Sequence, residues 1–303
     1  MSYDLDPDPG ASLEMSSRPG DRAEIDRIYG IFGGSINRSP SPRIHNGAYR
    51  AYGLSAQYVA IQTTNAAMPA ALRETLGDHR LAGLTVVSPH KELAVALADE
   101  LDDTARRCGA ANLLVRGASG WRAETTDAWG VLEPLRRRGV ALAGRRALVI
   151  GCGGAGRAAA VALADAGAEV TLANRHARRG ELARELLGLP WIGFDQLDVR
   201  GCSLVVNATP LGQDGEGPPF SPSELLPGSI VIDFVYAGHA TPLAALARAA
   251  GHDVIDGREI LVVQVAAQFG RMTGVRLDER LAWQLVGWAE PTHAHPLPRE
   301  SHA

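Results

Sequence analysis

Two stretches of this 303-residue chain hold residue types suited to chemistry. The first is Ser88-Pro89-His90-Lys91-Glu92, which contains the only lysine among 30 basic side chains; all the others are arginine. Drift towards arginine accounts for the majority but not for the exception. Arginine does not release its proton in a protein, whereas lysine serves as an acid or base in suitable surroundings. Ser88 fits a helix N-cap and Pro89 the first helical position, which puts Lys91 in the first turn of a helix running to Leu101. There the positive end of the helix dipole disfavours a cation, the bias that an acid/base group needs. A lone lysine kept at that place is a candidate for proton chemistry.

The second stretch is Gly151-Cys152-Gly153-Gly154-Ala155-Gly156, a match to G-x-G-x-x-G. An apolar strand over 147–150 precedes it, a helix over 158–166 follows, and a second apolar strand covers 169–173, the context that gives the motif meaning. Gly151 suits the tight turn, Gly153 lets the backbone approach a pyrophosphate, and Gly156 lets helix and strand pack closely. The helix start offers unpaired N–H groups to the phosphates. At the end of the second strand, a ribose 2′-hydroxyl calls for Asp or Glu and a 2′-phosphate for arginine. The chain has Asn174-Arg175-His176-Ala177-Arg178-Arg179 there, with no acid before Glu181. Guanidinium forks suit phosphate, and cations at a helix start oppose its dipole, so the expected dinucleotide is NADP(H) rather than NAD(H).

The length suits two domains, and 46% hydrophobic with 21% charged residues is ordinary for a soluble protein. A net charge of −4 gives no electrostatic case for nucleic acid. Cys108, Cys152 and Cys202 are too few and too scattered for a disulfide framework or a zinc site, so no metal is expected and a reducing, cytoplasmic setting is the default. The acidic N-terminal stretch has no apolar run and does not read as a signal peptide, and no segment approaches the roughly 20 apolar residues of a membrane span. Residues 1–28 and 289–303 read as disordered tails, the latter despite its His-x-His.

Between the tails, a short strand near Tyr29 runs into a turn-rich loop with Ser39 and Ser41. Ser41 is placed to cap a helix over 43–52, a task that Ser39 does not share. Asp127, after Thr125-Thr126, is placed to cap a helix over 128–138. A strand over 230–235 leads to Tyr236, and an amphipathic helix over 260–272 carries Gln264 and Gln268 among apolar residues.

Taken in order, the segments Ser-x-Ser-Pro-x-x-His-Asn (39–46), Ser-Pro-His-Lys-Glu (88–92), Gly-Ala-x-Asn (109–112), Thr-Thr-Asp (125–127), the glycine loop, Asn-Arg (174–175), Asn-Ala-Thr (207–209), Asp-x-x-Tyr (233–236), Gly257 and the run 262–269 resemble the shikimate dehydrogenase family from about residue 29 to 285. The resemblance implies NADP-dependent reduction of 3-dehydroshikimate to shikimate and the reverse. It implies a two-domain α/β fold: a substrate domain of 29–130 plus 257–288, and a Rossmann-like NADP domain of 131–256, with a small-molecule substrate in the cleft. Carried over by position, Lys91 and Asp127 are the catalytic pair, Ser39, Ser41 and Tyr236 bind the carboxylate, and Asn112 and Gln264 bind ring hydroxyls. Gly151–Ala155 with Gly156, Asn174, Arg175 and Arg179 are NADP positions. Phe234 and Gly257 lie near the nicotinamide, and Asp103 falls on the cofactor side. Where the family has Asn-Val-Thr before the lysine loop, this chain has Thr85-Val86-Val87, without the substrate-contacting hydroxyl; Leu113, Thr125, Ala128 and His176 also depart from the family pattern. A quinate- or aminoshikimate-type dehydrogenase and a catalytically silent NADP-binding regulator are the alternatives. A binding module needs neither Lys91 nor Asp127. The oligomeric state, monomer or homodimer, is left open.

The arginine pair generates a direct test. Replacing Arg175 and Arg179 together by alanine should raise KM for NADP far more than KM for NAD in steady-state assays with each nucleotide. Equal effects on both would remove the 2′-phosphate assignment.

Overall fold

Apolar runs separated by glycine- and proline-bearing turns form the strands of two six-stranded sheets. The computed structural model describes residues 25–290 apart from 35, 38, 64–67 and 214–216, so most of both expected tails lies outside the described residues. β1 (Arg27–Gly33) leads through α1 (Ser41–Ala51), β2 (Ala56–Gln62), α2 (Met68–Gly77), β3 (Leu81–Val86), α3 (Lys91–Leu97), a two-residue β4 (Glu100–Leu101) and α4 (Asp103–Cys108) to the hairpin β5 (Leu113–Gly117) and β6 (Gly120–Glu124). Their order in the first sheet is β2-β1-β3-β5-β6-β4, parallel among β1, β2 and β3 and antiparallel through the hairpin.

α5 (Asp127–Arg137) carries the chain across to the second sheet. There follow β7 (Arg146–Ile150), α6 (Gly154–Asp165), β8 (Glu169–Asn174), α7 (Ala177–Leu187), β9 (Trp191–Gly193), β10 (Leu204–Asn207), β11 (Ile230–Asp233), α8 (Pro242–Ala249) and β12 (Asp253–Ile255). This sheet is parallel throughout, in the order β12-β11-β10-β7-β8-β9. Counted from β7, that is the doubly wound order 3-2-1-4-5-6 read from the other edge. The reversal falls between β7 and β10, where a crevice forms beyond the strand ends, and the glycine loop after β7 opens into it. α9 (Gly257–Thr273) and α10 (Glu279–Val286) then return to the first sheet. Leu261, Val262, Val265 and Phe269 pack with Tyr29, Ile31, Ile44 and Tyr49 in one core, and the Tyr29 hydroxyl donates to the Met272 carbonyl at 2.8 Å.

The two crossings between sheets are fastened to each other. Arg138, just past α5, donates through both Nη atoms to Glu259 on α9, at 2.7 and 2.8 Å, and both side chains are buried. Arg137 forms a second two-pronged pair with Glu279 on α10, with both contacts at 2.6 Å.

Several local expectations are corrected. β1 begins at Arg27, inside the expected tail. Ser88 does not cap the lysine helix, and Pro89, after a cis peptide bond, does not start it: the pair lies in a turn closed by the His90 N–H on the Val87 carbonyl, and α3 starts at Lys91 itself. That helix stops at Leu97 because the next residues join the hairpin: Asp99 exchanges hydrogen bonds with Trp121, and Glu100–Leu101 pairs with β6. Ser41 and Asp127 are the first residues of their helices, not the caps. α6 begins four residues earlier than the periodicity suggests, inside the glycine motif, with Gly153 as its N-cap.

Candidate active site

A carboxylate buried in a protein costs on the order of several kcal/mol unless charges and donors surround it. Asp127 is 2% exposed and draws donors from three other segments. Lys91 Nζ, at the start of α3, lies 2.6 Å from Oδ2. Gln264 Nε2 from α9 donates to Oδ1 at 3.0 Å, and Asn112 Nδ2, just before β5, donates to the same oxygen at 3.3 Å. The Asp127 N–H is taken by Thr125 Oγ1 at 3.3 Å. Lys91 gains the negative charge that its helix end lacks, and its side chain stays 12% exposed, so the ammonium group remains within reach of the crevice.

Behind this pair runs a buried polar chain. Thr126 Oγ1 accepts from Asn112 Nδ2 at 2.9 Å and from Gln268 Nε2 at 3.0 Å, while the Thr126 N–H donates to Asn112 Oδ1 at 2.7 Å. Gln268 Oε1 accepts from Thr85 Oγ1 at 3.4 Å, and Thr85 Oγ1 accepts from the Tyr58 hydroxyl at 2.8 Å. Tyr58 stacks flat on His45 at 4.1 Å. Burial lowers the His45 imidazole to about 3, so His45 is a neutral core ring. Its neighbour Asn46 holds both outward backbone groups of Tyr58, accepting from its N–H and donating to its carbonyl, each at 2.8 Å. Asn46 thus stands in for the missing neighbour of the edge strand β2.

Three hydroxyls meet at the mouth of the first sheet. Ser39 Oγ and Ser41 Oγ are 3.3 Å apart, and the Tyr236 hydroxyl, from the loop after β11, bonds to Ser39. Partial desolvation of the Tyr236 phenol, on a residue that is 38% exposed overall, pushes it up against the pull of that bond, so it stays neutral. The Tyr236 loop is fixed from below. Asp233 accepts from Asn207 Nδ2 at 2.9 Å, Thr241 Oγ1 at 2.5 Å and the Val235 N–H at 3.2 Å, and its carboxyl is raised by burial. Gly257 opens α9 against the same loop, where any Cβ would strike the Val235 carbonyl. Phe234 is partly buried against the core of the second sheet.

The glycine loop forms the opposite wall. Gly151 has φ +111°, a Cβ at Gly156 would collide with the Gly151 carbonyl, and Gly153 has open space beside its Cα. The Cys152 N–H donates to Asn174 Oδ1 at 3.2 Å, tying the loop to the end of β8. The Cys152 thiol is pushed up to about 11 by burial, which keeps it protonated. A Cβ at Gly154 would lie 2.8 Å from Ala110 Cβ and 3.1 Å from Lys91 Cβ, so the loop touches the lysine stem. Arg175 and Arg179 are exposed around the start of α7 and make no ion pair among the described residues. Open backbone at Gly153, the N–H groups at the start of α6 and these two guanidinium groups fit a phosphorylated dinucleotide. Asp103 is not brought to this site: its side chain is 74% exposed and faces Arg106 and Arg107 on its own helix.

Thr126, Gln268, Thr85 and Arg157 surround the site without belonging to any residue pattern that by itself points to chemistry. Gln268 was visible as the residue one turn beyond Gln264. Arg157 was visible as the lone charge at the head of an alanine-rich helix.

A glycine loop at the switch point of a doubly wound sheet, facing a buried lysine–aspartate pair on a second α/β domain, defines a two-domain nicotinamide-nucleotide dehydrogenase. Residues 31–114 match the family description "Shikimate dehydrogenase substrate binding domain". The shikimate dehydrogenase (NADP(+)) of Gluconobacter oxydans (strain 621H) is 39% identical over 256 residues, covering 82% of this chain and 91% of that protein. The chain belongs to the shikimate dehydrogenase family. Among solved structures, shikimate 5-dehydrogenase from Thermus thermophilus in complex with NADP(H) and shikimate superposes with a TM-score of 0.76 at 32% identity, covering 86% of this chain and 98% of that one. The ligand-free 5-ketofructose reductase of Gluconobacter sp. strain CHM43 superposes with a TM-score of 0.75 at 26% identity, over 86% and 98%. No helix among the described residues is long and apolar enough to cross a membrane.

The polar chain predicts a stability effect separable from chemistry. Thr126→Val leaves the amides of Asn112 and Gln268 short of an acceptor, and should lower unfolding free energy by about 1–3 kcal/mol in urea titrations. A neutral effect would mean that the two amides find other partners.

Proposed function

We propose that this chain catalyses the NADP-dependent interconversion of 3-dehydroshikimate and shikimate. The observation that carries the reading is the 2.6 Å contact between the only lysine of the chain and a buried aspartate, beside the glycine loop. Ser39, Ser41 and Tyr236 hold the ring carboxylate with neutral donors. Asn112 and Gln264, whose amides already converge on Asp127, hold ring hydroxyls. Gly151–Gly156 with Asn174, Arg175 and Arg179 would hold NADP, whose nicotinamide would supply the hydride in one direction and accept it in the other. Phe234 and Gly257 would lie near its nicotinamide end. On reduction Lys91 Nζ gives a proton to the oxygen that becomes the hydroxyl, and on oxidation it takes the proton back. Asp127 fixes the ammonium group and balances its charge. The substrate domain comprises 29–130 and 257–288, and the NADP domain 131–256; the working location is the cytoplasm. The test is a panel of shikimate, quinate and an aminoshikimate against NADP and NAD, followed by nucleotide absorbance. Turnover of none of them would refute the reading.

One observation favours a second reading, a retuned ring preference. Val87 is partly exposed just past the end of β3, packed over Gly33 at the rim of the first sheet's core, and has no hydroxyl. Val87→Thr is close to isosteric and should shift the shikimate-to-quinate ratio of kcat/KM towards shikimate by about 1–1.5 kcal/mol, the net worth of one hydrogen bond. An unchanged ratio would assign the contact to another group.

The acid–base reading makes the firmest prediction. Lys91→Arg keeps the charge but removes the exchangeable proton, so turnover should fall by about 10²–10⁴-fold, the usual contribution of general acid–base catalysis. Affinity for NADPH, measured by fluorescence titration, should barely change. Groups acting as a unit are non-additive, so Lys91→Ala combined with Asp127→Asn should be little worse than the weaker single variant. Near-normal turnover of Lys91→Arg would return the chain to the binding-module alternative.

A further inference from the structure

Arg157 stands alone on α6: the three residues that follow it are alanines, all buried. Its side chain is 10% exposed, and a guanidinium placed so deep needs partners. It has four, and they do not belong to its own helix. Nη1 donates to the Cys152 carbonyl in the glycine loop at 3.0 Å. Nε donates to the Cys108 carbonyl at 2.7 Å, and Nη2 to the Gly109 carbonyl at 3.3 Å. These two carbonyls belong to the end of α4, where backbone acceptors have no helical partner. Nη2 also donates to Glu92 at 2.8 Å, and Glu92 is 63% exposed, so this arm lies at the rim.

The carbonyls that it grips are one step from the chemistry. Two residues after Gly109, the Ala111 N–H donates to the Lys91 carbonyl at 2.9 Å. The next residue, Asn112, donates to Asp127. Glu92 follows Lys91 in the chain. On the other side, Gly154, three residues before Arg157, abuts the Lys91 stem. One planar group with five donors therefore joins the glycine loop to the supports of both Lys91 and Asp127, and lysine could not span the same acceptors.

We infer that Arg157 is a positioning residue that couples dinucleotide binding on the glycine loop to the placement of the Lys91–Asp127 pair across the crevice. The inference rests on the proposed reading of that pair. When the loop settles on the pyrophosphate, the Cys152 carbonyl, the end of α4 and Asn112 move as one body through the guanidinium.

The test uses Arg157→Gln and Arg157→Lys in the full chain. NADPH affinity is measured by fluorescence with and without saturating shikimate, a pair of ligands that cannot react with each other. In the wild type, the two affinities should differ by a coupling factor within the usual range of about 5–150-fold. In both variants that factor should collapse towards one while affinity for NADPH alone is kept. Turnover should fall by about 100-fold, the scale of a 1 Å misplacement, with KM for NADP near its wild-type value. Wild-type coupling and turnover in both variants, with only a lower Tm, would make Arg157 a structural staple and overturn the inference. So would the absence of any coupling in the wild type. If Arg157→Gln does not fold, Arg157→Lys keeps a cation beside the same carbonyls and yields both readouts. Because coupling is read from binding, its loss stands apart from the Lys91→Arg result: normal turnover in Lys91→Arg refutes the acid–base reading without touching the coupling.

Discussion

The arrangement depends on one constraint: a carboxylate kept almost wholly out of water at the start of α5. Removing any one of its donors leaves charge or hydrogen-bonding capacity unpaired in a low-dielectric place, which costs more than an exposed contact returns. Asp127 therefore dictates where three other segments lie. The start of α3 must bring Lys91, the strand entry at Asn112 must face inwards, and α9 must return from the far sheet with Gln264 on the correct face. The discontinuous chain path follows from this demand, because a helix supplied after the second sheet completes the site of the first.

The second sheet answers a different demand, a loop of backbone donors at a strand-order reversal. The two are joined by an apolar seam, with Cys108, Ala110 and Ala128 packed on Ala158, Val161 and Ala162, and by polar contacts set around it. The polar contacts are guanidinium bonds to carboxylates and carbonyls: Arg138 to Glu259 between the end of α5 and α9, Arg137 to Glu279, and Arg157 across the crevice. In a chain whose basic residues are almost all arginine, the planar fork performs the joining, and the point charge of the single lysine is left to the crevice.

Much of this was legible in the residues. The βαβ context of the glycine motif, the strands of the second sheet other than the short edge strand β9, and the isolation of Lys91 follow from periodicity and composition. Helix starts were not legible. Ser88, Ser41 and Asp127 all look like caps because Ser and Asp are strong caps in isolation. In the fold their side chains have other work or other neighbours: Ser88–Pro89 is consumed by a turn, Ser41 faces Ser39, and Asp127 takes Lys91. Local propensity cannot register a partner 36 residues away. The polar chain through Thr126, Gln268, Thr85 and Tyr58 was hidden for the same reason, since each member reads as an ordinary polar residue until three elements converge. Asp103 differs in the opposite direction: a matched position implies a role, while its exposed side chain meets Arg106 and Arg107 of its own helix.

The departures from the family pattern can be ranked by where their side chains go. Leu113 is fully buried in the core with Tyr29 and Phe269, so it cannot meet a ring in the crevice. Ala128 is packed with Cys108, Ala110, Ala158 and Val161 between α4 and α6, where a larger side chain would press on the apolar seam beside Arg157. Thr125 spends its hydroxyl on the Asp127 N–H, a backbone task that a small polar side chain can perform without touching substrate. Thr85 is also accounted for, since its hydroxyl lies between Tyr58 and Gln268 inside the polar chain. On the substrate side that leaves Val87, which is partly exposed, follows β3 directly and packs on the glycine that ends β1. On the proposed reading, a methyl in place of a hydroxyl there would alter what a ring oxygen meets while leaving the hydroxyls at Ser39, Ser41 and Tyr236 and the Lys91–Asp127 pair untouched. Ring preference and proton chemistry would then be carried by different residues, and one could drift without cost to the other.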